Sequence, residues 1–465
     1  MDRILTPFRA GLEAENGYEL AASLSPTSPP SDPGRLYAIS RALNAYTAQS
    51  ELRTSLRPIL PSQDEREVWT DIFTAYHKSL LTILSCEEVS TTHAQNPSSP
   101  APDWSKSYAT WKDLLNALHR GYTLGHLEPW TLPLLYQTTK HLRVLALRAD
   151  ATQPPVQPST LSDLPTDMAP SPNLEDCARQ TNRIFALVTQ DRSPAPNRKY
   201  GTYFIAVLLF KTYFRLNSIS LCKNIVRSIN ASAGDMPPLE LFPKSHRVMY
   251  RYYVGVVSFL EERYAEAEEA LEEAYALCLV GEAGARQAER VLTYLVPTKM
   301  LTRHVLPSGE LLARHGRLEG LFGPLCRAVR RGDLRGFDAA LAEGEEEFVK
   351  MRVYLTLERG RDVAARNLLR KVYLAAGWEQ GKEGEVRRSR IAVAEWAAGL
   401  RCVGEDVEGD EVEGLIAGLI YKASRGSPLD GCITDTIQNL IKGYISRAHG
   451  MVVLNKKGAF PGTGV

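Results

Sequence analysis

The stretch YRYYVGVVSFLEERYAEAEEALEEAYALC, residues 250–278, predicts two antiparallel helices joined by a tight turn. In its second half, small and apolar side chains recur at helical spacing, and glutamates occupy the flanks of that face. The positions that match the tetratricopeptide pattern are Gly255, Tyr264, Ala267, Leu271 and Ala274. A single hairpin of this kind cannot bury its own apolar face, so the sequence predicts helical neighbours stacked on both sides.

The composition is that of a globular protein of 465 residues, 44% hydrophobic and 23% charged, with room for a helical solenoid and an end module. Its formal net charge is +1, so no overall field attracts polyanions, and nucleic-acid binding would need a local basic patch. The 7 cysteines include no C-x-x-C pair, which favours free thiols in a reducing compartment. No signal-peptide pattern and no membrane-spanning apolar run occur. We therefore expect an intracellular protein that has no membrane partner.

Three regions are predicted from the distribution of helical periods and of proline. Residues 1–172 are predicted to form an N-terminal helical region with loops rich in proline and serine, including a polar loop at 90–105. Residues 151–172 carry many prolines and few large apolar residues, and we expect them to form an exposed, mobile connection. Residues 173–385 show helical periods almost without interruption and no convincing alternation of apolar and polar residues. They predict a helical superhelix.

The last region, residues 386–465, predicts a winged-helix module. Two helices are predicted at 390–400 and 410–422, and two β-rich runs follow at 442–446 and 451–455. Helices followed by a small hairpin describe a winged helix, which would need to dock on the preceding helices. The expected fold class is therefore all-α, with a small β-hairpin near the end of the chain.

The sequence carries no motif for catalysis or metal binding. No glycine-rich phosphate loop follows a strand, no H-E-x-x-H motif occurs, and the 9 histidines are dispersed. The acidic runs at 345–347 and 405–413 are typical of solvated faces and not of a cleft with perturbed groups. We therefore expect a protein that binds and does not catalyse, with no cofactor and no metal.

The end of the chain holds the main candidate for a nucleic-acid site. Residues 436–465 contain no acidic residue, and Tyr444 and His449 lie among four cations: Lys442, Arg447, Lys456 and Lys457. A wing hairpin with basic tips can reach phosphates. A second basic cluster precedes the module's first helix and could lie on the same platform: Arg387, Arg388 and Arg390. The competing interpretation is that the lysines only make an exposed hairpin soluble.

Long, ordered blocks between residues 195 and 465 resemble the PCI-domain family. They include NRKYGTYFIAVLLFKTYFRLNSISLCKNIVRSI at 197–229, DEVEGLIAGLIYK at 410–422 and KGYISRAHGMVVLNKKGAFP at 442–461. The branch they resemble contains the signalosome subunit twelve-like proteins and the PCI subunit of the transcription-and-export complex two, and the opening of the chain is similar to its fungal members. The resemblance implies a right-handed superhelix of tetratricopeptide-like repeats capped by a winged helix, and no catalysis.

The resemblance also implies partners. A second PCI subunit would pair its winged helix with this one to form a joint basic platform for RNA or DNA, and a small acidic, disordered protein of the proteasome-lid type would clamp this chain. The candidate contacts for the acidic protein are Arg366, Arg370, Lys371 and Tyr373, which an ordinary amphipathic helix face explains equally well. Because PCI modules associate edge to edge, one side of the run at 451–454 is expected to meet a partner through Met451 and Val453.

One segment departs from the family pattern. Residues 423–439, ASRGSPLDGCITDTIQN, lie where the family passes almost directly from the LIYK helix into KGYIS. We interpret them as an insertion, either a surface loop or translated intron sequence. The alternative is that residues 434–441 form the recognition helix of the module.

The resemblance leaves two functions open. The first is a scaffold subunit in transcription-coupled messenger processing and nuclear export, which implies a nuclear location, with the cytoplasm as a second one. The alternative is a structural subunit or associate of the signalosome that acts through protein contacts alone. Both share one fold, so composition does not separate them.

Overall fold

The computed structural model describes residues 2–44, 46–152, 171–194, 196–381, 384–424, 440–456 and 458–461. Most of the predicted mobile connection at 151–172 and of the predicted insertion at 423–439 lies outside the described residues. The chain forms two compact units, Met1–His246 and Arg247–Val465. Their division does not coincide with the predicted boundaries after residues 172 and 385, so the three-region scheme stays a prediction.

The first unit is helical. Its α-helices are α1 (Asp2–Glu13), α2 (Gly17–Ser23), α3 (Arg35–Ala42), α4 (Ala48–Leu56), α5 (Gln63–Gln95), α6 (Trp104–Thr123), α7 (Leu132–Thr152), α8 (Pro172–Thr189), α9 (Thr202–Arg215) and α10 (Ile219–Ala231). Short 3₁₀ helices occupy some connections: Pro129–Thr131, Arg198–Gly201, Ala233–Asp235 and Leu239–Leu241. Large aromatic side chains fill the core, and the buried Trp111 indole donates to the Thr138 carbonyl oxygen at 2.8 Å.

Helix α5 extends to Gln95 and therefore shortens the polar loop predicted at 90–105. The hydroxyl groups of Thr91 and Thr92 donate to the backbone carbonyl oxygens one turn earlier, at 2.9 Å in both cases. Bonds of this kind satisfy a polar side chain within the helix. A polar composition therefore did not end the helix, which continues to Gln95.

Asp191 organises the turn that follows α8. Its buried carboxylate accepts hydrogen bonds from the backbone N–H groups of Ser193 and Arg198, and from the Arg198 guanidinium at 3.0 and 3.1 Å. The Arg198 side chain is the main cause that holds the pKa of Asp191 well below its usual range. Because the folded pKa is depressed, this stabilisation is present at neutral pH and is lost as the pH falls below the unfolded value of about 3.9.

We expect Asp191→Asn to lower the free energy of unfolding by about 2 kcal/mol at pH 7. The loss should be smaller at pH 3, where the wild-type carboxylate has already given up part of its advantage. Urea unfolding of both proteins at the two pH values checks this. Equal losses at pH 7 and pH 3 would contradict it.

The second unit contains the remaining elements. Its α-helices are α11 (Lys244–Leu260), α12 (Tyr264–Leu277), α13 (Glu282–Thr302), α14 (Gly309–Ala313), α15 (Gly316–Arg331), α16 (Leu334–Glu343), α17 (Glu345–Lys350), α18 (Tyr354–Glu358), α19 (Gly360–Ala375), α20 (Val393–Cys402) and α21 (Gly409–Ser424). Its strands are β1 (Trp378–Gly381), β2 (Gly384–Arg387), β3 (Arg390–Ala392), β4 (Gly443–Ser446) and β5 (Met451–Leu454). Among the residues described in either unit, no helix is long and apolar enough to cross a membrane.

The predicted helical hairpin at 250–278 is formed by α11 and α12. Gly255 on α11 faces Leu271 on α12, and a Cβ atom added at Gly255 would lie only 2.6 Å from Cγ of Leu271. The small and apolar positions of the pattern are all buried: Tyr264, Ala267, Leu271 and Ala274. Glu262 takes a positive φ of 61° in the turn between the helices. The tetratricopeptide-like packing predicted from these offsets is therefore confirmed.

Three strands, β1, β2 and β3, lie where no strand was predicted. β1 and β2 form an antiparallel hairpin in which Trp378 lies opposite Arg387 and Glu379 opposite Val386. It follows Gly377, whose φ of +79° lets the chain turn away after α19. The predicted helix at 390–400 also needs correction, because its first three residues form β3 and α20 begins only at Val393.

The winged-helix sheet is three-stranded and antiparallel, with the order β3–β5–β4. Arg390 lies opposite Val453, which lies opposite Tyr444 on the other side. β5 is therefore the central strand, and because both of its edges are paired, no partner can add a strand to it. The predicted contact of Met451 and Val453 with a partner would have to use a face of the sheet, and it stays a prediction. The exposed edges of a sheet belong to its outer strands, here β3 and β4.

The core of this module lies against one face of the sheet. Ile391, Val452 and Leu454 are buried there together with apolar residues of α20 and α21, including Trp396 and Ile416. Met451 and Val453 alternate with the buried pair and are only half-buried. The prediction that one side of the strand at 451–454 faces the core is therefore confirmed.

Candidate nucleic-acid interface

The face of the three-stranded sheet that points away from the core gathers residues from both predicted sites. We call it the outer sheet face. Strand alternation places six residues on it: Arg390, Ala392, Tyr444, Ser446, Met451 and Val453. Lys442 directly precedes β4 and continues the row of Tyr444, because its carbonyl oxygen accepts from the Asn455 N–H next to the Gly443–Leu454 pair. Arg390 and Lys442 belong to the predicted nucleic-acid set, and Met451 and Val453 to the predicted partner set. The fold therefore brings the two predicted sites to one surface.

Two cations on the outer sheet face have no acidic partner in the part of the chain that the structure describes. Arg390 and Lys442 are exposed, and within the described part of the chain no ion pair or hydrogen bond engages either side chain. The backbone fixes the position of Lys442, because its N–H donates to the Ala459 carbonyl at 2.8 Å and its own carbonyl accepts from Asn455 at 3.0 Å. Tyr444 is 62% exposed and lies two residues further along the chain. This face can offer positive charge and an aromatic ring together.

Lys456 and Lys457 follow the end of β5. Lys456 is exposed, and it too has no acidic partner among the described residues. Lys457 lies outside the described residues, so its predicted role stays a prediction.

Arg387 and Arg388 are engaged in contacts that support the module itself. The guanidinium carbon of Arg387 lies 4.5 Å from the ring centroid of Trp378 and 5.7 Å from that of Tyr373. Arg388 forms a two-pronged ion pair with Glu395 at 2.7 and 3.1 Å. Neither side chain is free to bind a phosphate without giving up these contacts.

Arg447 lies at the tip of the wing but faces acidic groups. Its Nε atom donates to Glu413 at 2.9 Å, and the Arg447 side chain is 80% exposed. The hydrogen bond that Arg447 donates to Glu413, aided by the charges of Glu413 and Asp410, raises the pKa of Arg447. The wing tip predicted to bind phosphates is therefore partly neutralised by the start of α21.

The predicted contacts for an acidic partner are distributed between the interior and the surface. Arg366 is only 3% exposed, and its guanidinium donates to the carbonyl oxygens of Leu440, at 3.1 Å, and of Pro461. It holds the chain end and has no surface to offer, so its predicted role in partner binding needs correction. Tyr373 is also buried, with its ring 5.5 Å from that of Phe460.

The two remaining residues of that set stay candidates. Lys371 is exposed, and its ammonium group donates to the Arg331 carbonyl oxygen at 2.7 Å. Arg370 is half-buried. A partner could reach Lys371 without disturbing the core.

Two acidic residues that neutralise the predicted cations were not identified from the sequence. Glu395 and Glu413 were not linked to Arg388 and Arg447, because each pair joins different elements of the fold. One feature of the sequence did indicate the outer sheet face. Lys442 and Tyr444 are two residues apart in a predicted strand, and this spacing places both side chains on one face.

The described residues do not assemble a metal centre. No group of three or more histidine, cysteine, aspartate or glutamate side chains among them is placed to hold a metal ion. Burial raises the pKa of the Cys177 and Cys222 thiols to about 12, which leaves them protonated and unreactive at neutral pH. A cleft of about 830 Å³ in the first unit is lined by polar residues such as Glu87 and Arg148.

Comparisons with known proteins identify the family. The chain is 44% identical over 483 aligned positions to a Neurospora crassa protein called Protein CSN12 homolog, with all of both chains covered. It is 33% identical to the Schizosaccharomyces pombe protein of the same name, with 75% of this chain and 76% of that one covered. It is 28% identical to PCI domain-containing protein 2 of Danio rerio, with 77% of this chain and 80% of that one covered.

No family model matches the chain. The helical repeat, the terminal winged helix and these relatives place the chain in the PCI-domain family, among the fungal proteins that are like signalosome subunit twelve.

Proposed function

We propose that this chain is a non-enzymatic PCI scaffold subunit that contributes its winged helix to a nucleic-acid-binding platform. It pairs with a second PCI protein and with a small acidic protein, and the assembly acts in the nucleus in transcription-coupled messenger processing and export. The observation that supports this proposal is the outer sheet face, where two cations that have no acidic partner among the described residues accompany an exposed tyrosine.

The charge distribution favours nucleic-acid binding at one local basic patch over attraction by the net charge of the whole protein. The whole chain is close to neutral, so a phosphate backbone gains nothing from its overall field. On the outer sheet face, by contrast, Arg390 and Lys442 have no acidic partner among the described residues, and Lys456 follows at the end of β5. Cations that keep their charge exposed can replace the counterions of a phosphate backbone, which is the main source of affinity for nucleic acids.

The test is a binding titration of single-stranded RNA and of duplex DNA at two or more salt concentrations. The protein is the full-length chain, purified with the subunits that stay bound to it. The variant combines Arg390→Glu, Lys442→Glu and Lys456→Glu. If each cation contacts one phosphate, the slope of log affinity against log salt should become shallower by about 2 for single strands, or about 0.7 for each lost contact.

The matched control is Arg314→Glu, which reverses an exposed cation of the same unit that lies after α14. It should leave both the affinity and the salt slope near those of the wild type. Salt-sensitive binding that the triple variant loses and the control keeps would support the platform. Salt-sensitive binding that the triple variant keeps would contradict this location.

The second candidate function is a structural role in the signalosome through protein contacts alone. The similarity to proteins named CSN12 homolog favours it. Co-purification from cells that express the tagged chain separates the two. A stable set of signalosome subunits without nucleic-acid binding would favour this candidate, and one large PCI partner with salt-sensitive nucleic-acid binding would favour the platform.

A further inference from the structure

The outer sheet face has the chemistry of a surface that stacks unpaired bases. The ring of Tyr444 is 62% exposed on an outer strand, and its hydroxyl has no hydrogen-bond partner among the described residues. Next to it on β5, Val453 and Met451 form a half-buried apolar floor. An aromatic ring beside an apolar floor accepts the flat face of a base or the edge of a sugar, whatever the base sequence.

Cations flank this ring on two sides. Lys442 precedes Tyr444 by two residues, which is about 7 Å along a strand. Arg390 lies in the same cross-strand row as Tyr444, with Val453 between them, which is about 10 Å across two strand spacings. A single strand whose base lies on the ring would therefore bring its flanking phosphates within reach of these two long side chains.

The opposite end of the module disfavours a duplex. A duplex keeps its bases stacked and presents phosphates and grooves, for which the wing tip and the first turn of α21 would be the natural contacts. Here Arg447 at the wing tip is paired with Glu413, and Asp410 and Glu411 occupy the first turn of α21. These carboxylates repel a phosphate backbone, whereas the outer sheet face carries none of its own.

We propose that the outer sheet face is a binding site for single-stranded nucleic acid, in which Tyr444 stacks on an unpaired base while Arg390 and Lys442 bind the adjacent phosphates. This inference rests on the proposed function, because it specifies the ligand and the contacts of the same platform. A protein partner that covers Met451 and Val453 is the competing use of this face, and the test distinguishes the two.

The test compares Tyr444→Ala, Tyr444→Phe and the double variant Arg390→Glu with Lys442→Glu. Each full-length protein, with its bound subunits, is titrated with a short uridine-rich RNA and with a duplex DNA of equal length. Tyr444→Ala should weaken RNA binding about tenfold. It should leave the salt slope and duplex binding unchanged, because a base contact releases no counterions. Tyr444→Phe should restore RNA binding, and the double variant should weaken it and flatten the salt slope.

The outcomes separate this inference from the function on which it rests. If the double variant loses RNA binding and Tyr444→Ala does not, the stacking role is overturned and the platform stands. If the wild-type assembly binds neither RNA nor duplex, the platform and the stacking role both fall. If Tyr444→Ala releases a bound subunit while RNA affinity is unchanged, the face is a protein-docking surface. Because Tyr444 is exposed, its variants should keep the wild-type unfolding temperature, which confirms that each is folded.

Discussion

Arg366→Met should lower the free energy of unfolding by about 3 kcal/mol and release the end of the chain. The guanidinium is buried and donates to the carbonyl oxygens of Leu440 and Pro461, which lie on either side of the β4–β5 hairpin in the sequence. Burial, together with the charge of Arg370, lowers the pKa of Arg366 to about 10, which still leaves it charged at pH 7. Hydrogen bonds from a charged donor each contribute about 1.5–3 kcal/mol, and methionine supplies neither of them.

Urea unfolding and limited proteolysis measure the two parts of this prediction. The proteolytic signal should be faster cleavage near Ala459 and Phe460, which are buried in the wild type. Lys371→Met is the matched control, because Lys371 on the same helix also donates to a carbonyl oxygen but from an exposed position, where water replaces the lost bond. It should change stability by less than about 0.5 kcal/mol. If both variants unfold alike and the chain end resists protease, Arg366 does not hold it.

Gly255→Ala should destabilise the wild-type protein but stabilise a protein that already carries Leu271→Ala, because Gly255 packs directly against Leu271. In the wild type, Gly255→Ala places a Cβ atom 2.6 Å from Cγ and 2.9 Å from Cδ2 of the buried Leu271, and we expect a loss of about 2 kcal/mol. Leu271→Ala alone should cost about 3 kcal/mol through the cavity that it leaves. In the Leu271→Ala background both side-chain contacts disappear, and the one that remains, 3.3 Å from the backbone nitrogen of residue 271, needs a shift of only a few tenths of an ångström. Alanine is about 1 kcal/mol better than glycine within a helix. There Gly255→Ala should stabilise the protein.

A double-mutant cycle by urea unfolding checks this sign change. Gly320→Ala in α15 is a suitable control, since a Cβ atom added there would meet no other atom within 4 Å. It should stabilise the protein slightly in both backgrounds. Additive losses from Gly255→Ala and Leu271→Ala would show that the two helices do not pack through this contact.

The helical hairpin could be predicted from the sequence because its determinants are local. Each helix follows from periodicity over a few turns, and the close approach follows from a glycine opposite a large residue at family-typical offsets. The alternation of Val452 and Leu454 with Met451 and Val453 was likewise visible, because a strand places successive side chains on opposite faces. These features need no knowledge of distant residues.

The short strands could not be predicted in the same way. β1 and β2 have four residues each, and β3 has three, so none shows a period long enough to recognise. They exist because another segment pairs with them: β1 with β2, and β3 with a strand about sixty residues later in the chain. That pairing also made β5 central, so a partner could meet Met451 and Val453 only across a face of the sheet.

The sequence by itself determined the helical repeat, the winged helix at its end and the presence of cations near the wing. Only the tertiary structure decided which cations are available. Arg366 is buried, Arg388 and Arg447 meet carboxylates from other helices, and Arg390 and Lys442 stay exposed on one face. The physical reason is that secondary structure depends on neighbours in the chain, whereas the charge that a surface offers to a ligand depends on which side chains the fold brings into contact.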